Sequence, residues 1–436
     1  MKTGDRLEMR FEKPLYGGDF LARQEGQAIF VPFVLPGEVA QVEIQDRKRN
    51  FVRGRAEAIC SASEHRTQPR CGHFERCGGC HYQHAEAAQQ IAWKQSILEE
   101  ALRRAGVALK RLVETLSGPD WGYRNRIRLA VNASAGSESF QLGYRARSSH
   151  EIIDIDECPI AAPALLTCAR TVAKSLLRHG CLHAVEEIEL MTTPAEDAGM
   201  ITLLARTQEQ AEHVRSQLDV VFQEHSVFAS GMALAVKTGD EWMRIVAHAG
   251  QRSLQYPVGD VNYSVSAGAF FQVNRWLLED FRNLVTQDAR GETAWDLFAG
   301  VGFFARVLER KFARVVAVEA SDASFPALRE ALSNPHSAAV RATTLRFLEE
   351  NRLRRDPAPD WIVLDPPRAG LEAKCCSLLN AIHAPRMTYV SCDPMTMARD
   401  LKLLTEERFQ IESIHLVDLF PQTFHFESVV QLSRCR

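Results

Sequence analysis

The sequence predicts a multidomain α/β protein with a small N-terminal β-barrel, a central α+β domain and a C-terminal domain built on a mostly parallel sheet. Three observations lead to this prediction. Short strand-like runs separated by turn residues fill residues 1–60. A β-rich stretch with inserted helical patterns extends to about residue 255. From 256 to 436, strand and helix patterns alternate, which is typical of a parallel sheet covered by helices.

Length and composition set the outer bounds. The chain has 436 residues, 46% of them apolar and 25% charged, so two or three globular domains are expected. The sequence shows no apolar signal segment and no membrane-length apolar run, and we expect a cytoplasmic monomer with no membrane partner. The net charge of −3 gives no global sign of a nucleic-acid partner.

Turn signals divide the first 60 residues into short strands. Candidate strands at 27–31 and 39–44 are bounded by Gly17-Gly18, Pro36-Gly37 and a basic turn at 47–49. Regularly spaced short strands of this kind predict a small barrel. Barrels of this size commonly bind oligonucleotides.

The central region begins with a helical pattern at 85–105 and becomes β-rich from 121, with helices expected near 161–178 and 207–222. Arginines alternate along one stretch of it. They suit either a solvated strand face or a track for phosphates, and the sequence leaves both open. These arginines are Arg124, Arg126, Arg128, Arg145 and Arg147.

Cysteines are concentrated in one short segment. The chain has eleven cysteines, and Cys71, Cys77 and Cys80 lie within ten residues, with Gly78-Gly79 between the last two. Disulfides are rare in the cytosol, so such density indicates a metal site. By ligand count, zinc and an iron–sulfur cluster suit thiolates equally well.

A ligand site is predicted at the strand ends of the C-terminal domain. Gly300 and Gly302 follow a strand at 294–298, and Glu319 ends the next strand, where a carboxylate can hold ribose hydroxyls. A dinucleotide or adenosylmethionine would fit. Asp365, in Asp-Pro-Pro after a strand at 361–364, favours adenosylmethionine, because it makes a rigid polar strand end beside a transferring methyl group. Arg368 stands where amino-group methyltransferases usually have an aromatic residue, so a different target is expected.

Cys392 and Glu427 are the candidate catalytic pair. Cys392 follows a buried strand at 387–390 and precedes Asp393-Pro394. Uracil C5 is a poor nucleophile, but addition of a thiolate at C6 turns the ring into an enolate that can accept a methyl group. A general base must then remove the C5 proton, and Glu427 lies in an apolar setting suited to that role. Taken alone, Cys392 could be a packing residue and Glu427 a surface carboxylate.

With these motifs, the sequence resembles the RNA uracil-C5 methyltransferases, and within them the iron–sulfur branch that modifies 23S ribosomal RNA. The resemblance covers nearly the whole chain. Its motifs are a TRAM-like barrel at 1–60, Tyr123-Arg124-Asn125, Leu142-Gly143-Tyr144, the stretch 268–274, and the segments around Asp365, Cys392 and Glu427.

The resemblance implies a fold and its boundaries. It implies an OB-like TRAM barrel at 1–60, a central iron–sulfur and RNA-binding domain at 61–255, and a Rossmann-like class I adenosylmethionine-dependent methyltransferase domain at 256–436. It also implies that the helical segment at 85–112 packs on the catalytic domain.

The resemblance implies ligands as well. Contacts to S-adenosylmethionine are expected at Gln272, Phe298, Gly300, Glu319 and Asp365. Cys158 joins Cys71, Cys77 and Cys80 as the fourth ligand of a 4Fe–4S cluster. The RNA partner implied is 23S ribosomal RNA.

Some positions depart from the family pattern. Ala299 replaces a usual cysteine, Phe303 replaces a small polar residue, and Thr343 lies in a stretch without the usual contact to the adenine. Two alternatives remain open at this point. One is a transfer-RNA uridine-C5 methyltransferase, and the other is a non-catalytic RNA-binding ribosome assembly factor.

Overall fold

The N-terminal strands close into a barrel. The computed structural model describes residues 1–109, 111–238, 242–354 and 357–435. The barrel strands are β1 (Arg6–Pro14), β2 (Asp19–Gln24), β3 (Gln27–Pro32), β4 (Val39–Arg47) and β5 (Val52–Ser61). They pair in the order β1-β2-β3-β5-β4, and β1 also pairs with β4. Alternate residues of β4 are buried, as expected for a strand with one face toward a core. The predicted barrel is confirmed.

A seven-stranded sheet forms the centre of the molecule, with helices packed on it. The order is β13-β12-β11-β10-β7-β8-β9, and β11 and β12 are its parallel pair. Its elements are β7 (Arg126–Asn132), β8 (Gln141–Arg145), β9 (Ile152–Asp154), α2 (Pro163–Arg178), β10 (Glu187–Thr192), β11 (Gly199–Ala205), α3 (Gln208–Arg215), α4 (Leu218–His225), β12 (Ala229–Thr238) and β13 (Trp242–Gly250), with a 3-10 turn at Leu182–Ala184. The single helix expected at 207–222 is therefore two short ones.

The C-terminal sheet has eight strands in the order β18-β17-β16-β19-β20-β22-β21-β6. The first five strands in this order, β18, β17, β16, β19 and β20, are parallel. Strand β22 pairs antiparallel with both of its neighbours, β20 and β21. The predicted Rossmann-like α/β architecture is confirmed. The strands are β6 (Glu114–Leu116), β16 (Gly291–Leu297), β17 (Phe312–Glu319), β18 (Ala338–Arg341), β19 (Trp361–Leu364), β20 (Arg386–Ser391), β21 (Phe409–Val417) and β22 (Glu427–Arg434).

Helices flank this sheet. They are α1 (Ala87–Ala105), α5 (Leu278–Thr286), α6 (Ala305–Leu308), α7 (Phe325–Ala331), α8 (Thr344–Arg354), α9 (Ala373–Ala381) and α10 (Pro394–Glu407). Helix α6 is only four residues long. The strand before it ends at Leu297 because Phe298 takes a left-handed backbone, with φ of 67°.

Two segments pack on the C-terminal sheet although they precede it in the chain. Buried residues of α1, such as Leu98 and Leu102, share a core with α10, and β6 extends the sheet at its edge. Residue 110, in the segment 85–112 expected to pack here, lies outside the described residues. The hairpin of β14 (Ser253–Val258) and β15 (Val261–Ser266) buries its apolar face in the same domain. The boundary expected at 255 therefore falls inside a strand.

Among the described residues, no helix is long and apolar enough to cross a membrane.

Candidate active site

The thiol of Cys392 lies where β20 passes into α10. Ser391 is the last residue of the strand, and Asp393 caps the helix by accepting hydrogen bonds from the amides of Met395 (2.9 Å) and Thr396 (3.0 Å). An Asp at the N-cap followed by Pro is a strong helix start. Cys392 is therefore held between two fixed elements and remains half-buried.

Strand register places Glu427 next to this thiol. Ser391 pairs with Ser428 in the antiparallel ladder of β20 and β22. Cys392 follows Ser391 and Glu427 precedes Ser428, so these two residues are opposite each other at the end of the ladder. Glu427 is 5% exposed, and its Oε2 has no hydrogen-bond partner among the described residues. An unpaired buried carboxylate oxygen is costly, and such groups concentrate at functional sites.

Asp365 joins Cys392 and Glu427 at the ends of adjacent strands. It follows β19, whose last residue, Leu364, pairs with Tyr389 of β20. Burial raises the pKa of Asp365 to about 7. Burial, and then the charge of Asp365, raises the pKa of Glu427 well above its usual range. The two carboxyl groups therefore titrate as a pair that retains a proton near neutral pH.

The same surroundings disfavour a free thiolate. Burial raises the pKa of Cys392 to about 12, and the charges of Glu427 and Asp365 act in the same direction. Arg368 is the cation that lowers this pKa. It is exposed, and its backbone carbonyl accepts a hydrogen bond from the Thr396 hydroxyl at 3.0 Å. The thiol is protonated in the free protein, so its activation depends on the charge around it.

The loop before Glu427 is tied to α1 by buried polar groups. The Lys94 ammonium donates to the Asp418 carboxylate at 2.6 Å and to the Phe420 carbonyl at 3.0 Å, and neither charged side chain is appreciably exposed. Gln90 exchanges hydrogen bonds with the backbone and side chain of Gln422. These contacts fix residues 418–426, and with them the start of β22.

Aromatic rings from three parts of the chain pack together near the Cys392 loop. Tyr16 comes from the β1–β2 turn, His81 follows Cys80, and Phe424 and His425 precede Glu427. The Phe424 ring lies 5.4 Å from Tyr16, 4.7 Å from His81 and 3.9 Å from His425, measured between centroids. Burial, reinforced by Arg368, lowers the pKa of His425 to about 3, so this ring is neutral. These rings form a largely uncharged aromatic cluster, and Arg368 lies beside it next to His425.

The predicted cofactor residues cluster at the ends of β16 and β17. Phe298 and Gly300 both have positive φ, 67° and 57°, so the turn between them bends sharply at the strand end. The Glu319 carboxylate accepts hydrogen bonds from the backbone amides of Gly300 at 2.7 Å and Ser321 at 2.6 Å. The structure thus brings these residues together, with Glu319 ordering the turn.

Gln272 lies in a separate loop that is pinned to the central domain. The Asn125 side-chain amide donates to the Gln272 carbonyl at 3.1 Å and to the Tyr256 hydroxyl at 2.7 Å. Gln272 is buried, 6% exposed. Asn125 belongs to the Tyr-Arg-Asn motif, so that motif supports the loop of a predicted cofactor residue.

The departures from the family pattern have structural explanations. Phe303 packs against Tyr263, Phe271 and Phe281, and its carbonyl accepts the Tyr263 hydroxyl proton at 2.9 Å. Ala299 is buried and bonds through its amide to the Val318 carbonyl. The Thr343 hydroxyl accepts from the Arg346 amide at 3.3 Å, at the start of α8. Phe303 therefore serves core packing and Thr343 a helix start.

The four predicted metal ligands line one open cavity between the barrel and the central sheet, with a volume of about 1540 Å³. Burial raises the pKa of Cys77 to about 11 and of Cys80 to about 12, and the charges of neighbouring cysteines, Cys158 foremost, add to both. The Cys71 thiol is affected in the same way. Thiols this close have a chemical reason to bind a cation. Yet in the described part of the chain no three His, Cys, Asp or Glu side chains are arranged to hold a metal ion.

Most of the alternating arginines pair with carboxylates, so their spacing does not by itself make a free phosphate track. Arg126 pairs with Glu189 at 2.9 Å, and Arg128 also reaches Glu189 at 2.9 Å. Arg147 donates to Asp19 of the barrel at 2.6 Å. The solvated-face interpretation is also wrong for Arg126, whose side chain is only 15% exposed. Four of the five, Arg124, Arg128, Arg145 and Arg147, line the cavity between barrel and central sheet, where Phe30 and Phe51 stack at 4.8 Å beside Arg53.

Comparison with known proteins decides the family. The family model for tRNA (Uracil-5-)-methyltransferase matches residues 86–435, and the TRAM domain model matches residues 2–56. The chain belongs to the RNA uracil-C5 methyltransferase family. The 23S rRNA (uracil(1939)-C(5))-methyltransferase RlmD of Halomonas elongata is 32% identical, over 98% of this chain and 89% of that protein. RlmD of Klebsiella pneumoniae is 31% identical, over 96% of this chain and 93% of that protein.

A solved member of the family has the same fold. The tRNA (uracil-54, C5)-methyltransferase of Pyrococcus abyssi, in complex with S-adenosyl-L-homocysteine, superposes with a TM-score of 0.74. The alignment covers 98% of this chain and 100% of that one, at 23% identity. At this identity the likeness shows the fold.

Sequence reasoning missed three residues of this uracil-C5 methyltransferase site. Tyr16 and Lys94 lie far from the motifs in sequence, and His81 adjoins the cysteine motif rather than the Cys392 and Glu427 motifs. No local pattern marks the three as residues of this site. Lys94 had one available signal, since it interrupts the apolar face of a predicted helix between Ile91 and Ile97. A charged residue on a buried helix face usually has a buried partner.

Proposed function

We propose that this enzyme transfers a methyl group from S-adenosylmethionine to C5 of a uridine in 23S ribosomal RNA. The observation that carries the proposal is the register of β20 and β22, which sets Cys392 and Glu427 side by side at the strand ends. The RlmD relatives, at 30% identity or more over nearly the whole chain, support 23S ribosomal RNA as the substrate.

Cys392 acts first. Its thiolate adds to uracil C6, a C–S bond forms, and the electrons of the C5–C6 double bond move onto C5 and the O4 enolate. Because Cys392 is protonated in the free protein, the step requires loss of the thiol proton. Arg368, which lowers the thiol pKa, favours that loss.

S-Adenosylmethionine supplies an electrophilic methyl group, which C5 takes. Glu427 then removes the remaining C5 proton, the C5–C6 double bond re-forms, and the Cys392 thiolate leaves. A carboxylate with a raised pKa is a stronger base than an ordinary one. The partly protonated pair of Glu427 and Asp365 suits a step in which one member must accept a proton.

Cofactor binding is proposed for the cluster at β16 and β17. Phe298 and Gly300 shape the turn, Glu319 at the end of β17 is the proposed partner of the ribose hydroxyls, and Asp365 and Gln272 are proposed as further contacts. Glu319 already accepts two backbone amides, so its remaining lone pairs are the ones available to a ligand.

A 4Fe–4S cluster held by Cys71, Cys77, Cys80 and Cys158 is also proposed. Four thiols line one cavity, which is the number of thiolate ligands that such a cluster needs. Burial and the neighbouring cysteines raise their pKa values, so the thiolates would need a bound cation to be stable. The iron ions of a bound cluster would supply positive charge that compensates the negative charge of the thiolates. Its expected role is to hold the segment 71–81 together, since the cysteines lie outside the group formed by Cys392, Glu427 and Asp365.

The proposed domain division follows the sequence boundaries with two changes. Residues 1–60 form the RNA-binding barrel, 61–255 the central domain and 256–436 the catalytic domain. To the last we add α1 with β6, and the β14 strand that spans residue 255.

Methyl incorporation on defined RNA tests the function. Purified enzyme, labelled S-adenosylmethionine and RNA from a strain lacking the gene should yield 5-methyluridine in 23S ribosomal RNA at one or two mapped positions. Transfer RNA from the same strain is the comparison substrate. Methylation of transfer RNA alone would replace the proposed substrate, and methylation of neither would remove the enzymatic proposal.

A further inference from the structure

The barrel touches the nucleophile. The Tyr16 hydroxyl, on the β1–β2 turn, donates to the backbone carbonyl of Cys392 at 3.3 Å. Its ring meets those of Phe424 and Phe426 edge to face, with centroids 5.4 Å and 6.5 Å away. One barrel side chain therefore contacts both the thiol-bearing residue and the segment that leads into Glu427.

The turn that carries Tyr16 is fixed on three sides. Lys13 pairs with Glu100 of α1 at 2.6 Å, and Asp19 pairs with Arg147 of the central domain at 2.6 Å. His81 covers Gly18 so closely that a Cβ there would meet the His81 ring at 2.9 Å. Since Gly18 has a φ of 87°, a side chain is excluded by both backbone and space. Tyr16 is thus presented to Cys392 by a rigid turn.

The electrostatic surroundings agree with this geometry. Burial raises the pKa of Tyr16, and the adjacent Asp393 carboxylate raises it further. The phenol therefore keeps its proton and remains a donor. The large cavity between the barrel and the central sheet reaches the turn itself, since Leu15, Tyr16 and Gly17 line it together with His81.

We propose that Tyr16 is a positioning residue for methyl transfer, which holds the Cys392 loop in its reactive orientation and makes the barrel part of the active site. The inference rests on the proposed function. It differs from a role in RNA affinity, because the contact is made to the catalytic loop and needs no RNA. Loss of the hydroxyl should slow chemistry while leaving RNA binding nearly unchanged.

Tyr16→Phe is the test, because it keeps the ring and removes one hydrogen bond. With saturating RNA and S-adenosylmethionine, the single-turnover rate should fall about three- to tenfold, as expected for one such bond. RNA affinity should stay within about twofold. Alkylation of Cys392 by iodoacetamide, followed by peptide mass spectrometry, should become at least about twofold faster as the loop loosens, while exposed Cys60 is unaffected.

Tyr82→Phe is the matched control. Tyr82 is a fully buried tyrosine at the barrel contact, whereas Tyr16 is half-buried, and the Tyr82 hydroxyl has no hydrogen-bond partner within the described residues. Its loss should leave the single-turnover rate and Cys392 alkylation as in the parent.

Three results would count against the inference. Unchanged turnover and alkylation in Tyr16→Phe would overturn it, and so would a change confined to RNA affinity. An equal fall in Tyr82→Phe would point to general packing instead. If the parent transfers no methyl group, the proposed function fails, while the alkylation contrast still decides whether Tyr16 positions the thiol.

Discussion

At the scale of single residues, the chemistry depends on how charge is arranged around Cys392. Burial raises the pKa of the thiol most, the Glu427 and Asp365 carboxyl groups raise it further, and the Arg368 guanidinium opposes them. A thiol with a raised pKa reacts slowly in the free protein, so its activation depends on the charge around it.

Substitutions of the two catalytic residues should block methyl transfer at different steps. Cys392→Ala should bind RNA and cofactor but form no covalent complex and transfer no methyl group, because C5 is never activated. Glu427→Gln should add and methylate, then stall at C5 deprotonation. A methylated protein–RNA adduct should then accumulate and be seen by denaturing electrophoresis with labelled methyl donor. Normal turnover by Glu427→Gln would remove the base assignment, and methylation by Cys392→Ala would remove the covalent mechanism.

Arg368 should set the reactivity of the thiol. Arg368→Gln removes a cation that lowers the Cys392 pKa. The rate of Cys392 alkylation should therefore reach a given value only at a higher pH than in the parent. Arg368→Lys keeps the charge and should retain most of the parent profile. Rates measured between pH 7 and 10 on the Cys392 peptide give the comparison, and Arg10→Gln on the exposed face of β1 serves as control. If Arg368→Gln and the parent gave the same pH profile, the charge of Arg368 would be too screened by solvent to affect the Cys392 pKa.

At the scale of elements, the sequence predicted well where local pattern determines structure. Apolar runs followed by Pro predict strands at 361–364 and 387–390, and the structure has them at Trp361–Leu364 and Arg386–Ser391. Parallel pairing brings their ends to one edge. The chain folds there as its local pattern suggests. The barrel was predictable for the same reason, since its glycine turns and alternating strands are local signals.

Long-range contacts were not predictable in this way. Lys94 meets Asp418 across 324 positions, and Tyr16 meets Cys392 across 376. Arg126 and Arg128 were considered for phosphate binding because Glu189, on a strand far along the chain, carried no sign of being their neighbour. Charge pairing across a sheet depends on strand order, which a single sequence does not reveal.

The tether between α1 and the catalytic loop should be strongly stabilising. Lys94→Ala leaves Asp418 buried without its partner, which costs about 3–5 kcal/mol of unfolding free energy. Lys13→Ala removes a half-exposed pair and should cost no more than about 1 kcal/mol. Denaturant titration gives both values.

The double variant Lys94→Met with Asp418→Leu separates stability from positioning. It should regain much of the lost stability, because an apolar pair of similar volume replaces the buried charges. Methyl transfer should remain low, because residues 418–426 no longer have their tether. Full recovery of activity in the double variant would show that the ion pair does not position the loop.

At the scale of the whole molecule, buried acids couple folding to pH. Asp296 of β16 is fully buried. Its two carboxylate oxygens make no hydrogen bond of ordinary geometry within the described residues, although the Ala305 amide lies near them. Burial raises its pKa from 3.8 to about 8, and the charges of Asp365 and Glu319 add to the shift. The folded state thus binds a proton that the unfolded state releases.

Stability should therefore fall as pH rises through this window. Between pH 4 and 8 the unfolded chain carries fewer protons at this site, so the unfolding free energy decreases with pH. Asp296→Asn removes the titration and should flatten that part of the profile, with a gain in melting temperature at pH 8 that exceeds any gain at pH 5. Asp260→Asn, at an exposed carboxylate, is the control. Parallel profiles for Asp296→Asn and parent would show that Asp296 ionises normally.

The cysteine segment 71–81 connects all three parts of the molecule. The amide of Gly78 donates to the Arg145 carbonyl of the central sheet at 3.2 Å, and the amide of His81 donates to the Gln422 carbonyl of the catalytic loop at 2.8 Å. On the barrel side, His81 covers Gly18. A cluster that orders this segment would fix the arginine-lined cavity between the barrel and the central sheet, where we expect RNA to bind, and the position of His81 against Phe424.

Removal of one proposed ligand should therefore act on RNA binding before chemistry. Anaerobically purified parent should be brown, with about four iron and four sulfide per chain. Cys77→Ser should lose the colour and bind RNA at least about tenfold more weakly, while S-adenosylmethionine affinity, measured by calorimetry, stays close to the parent because the cofactor residues lie on other elements. Cys168→Ser, at a buried cysteine away from the cavity, should keep its iron. Stoichiometric zinc in a colourless, active parent would exclude the cluster, and an iron-free Cys77→Ser with unchanged RNA affinity would exclude its role in ordering the cavity.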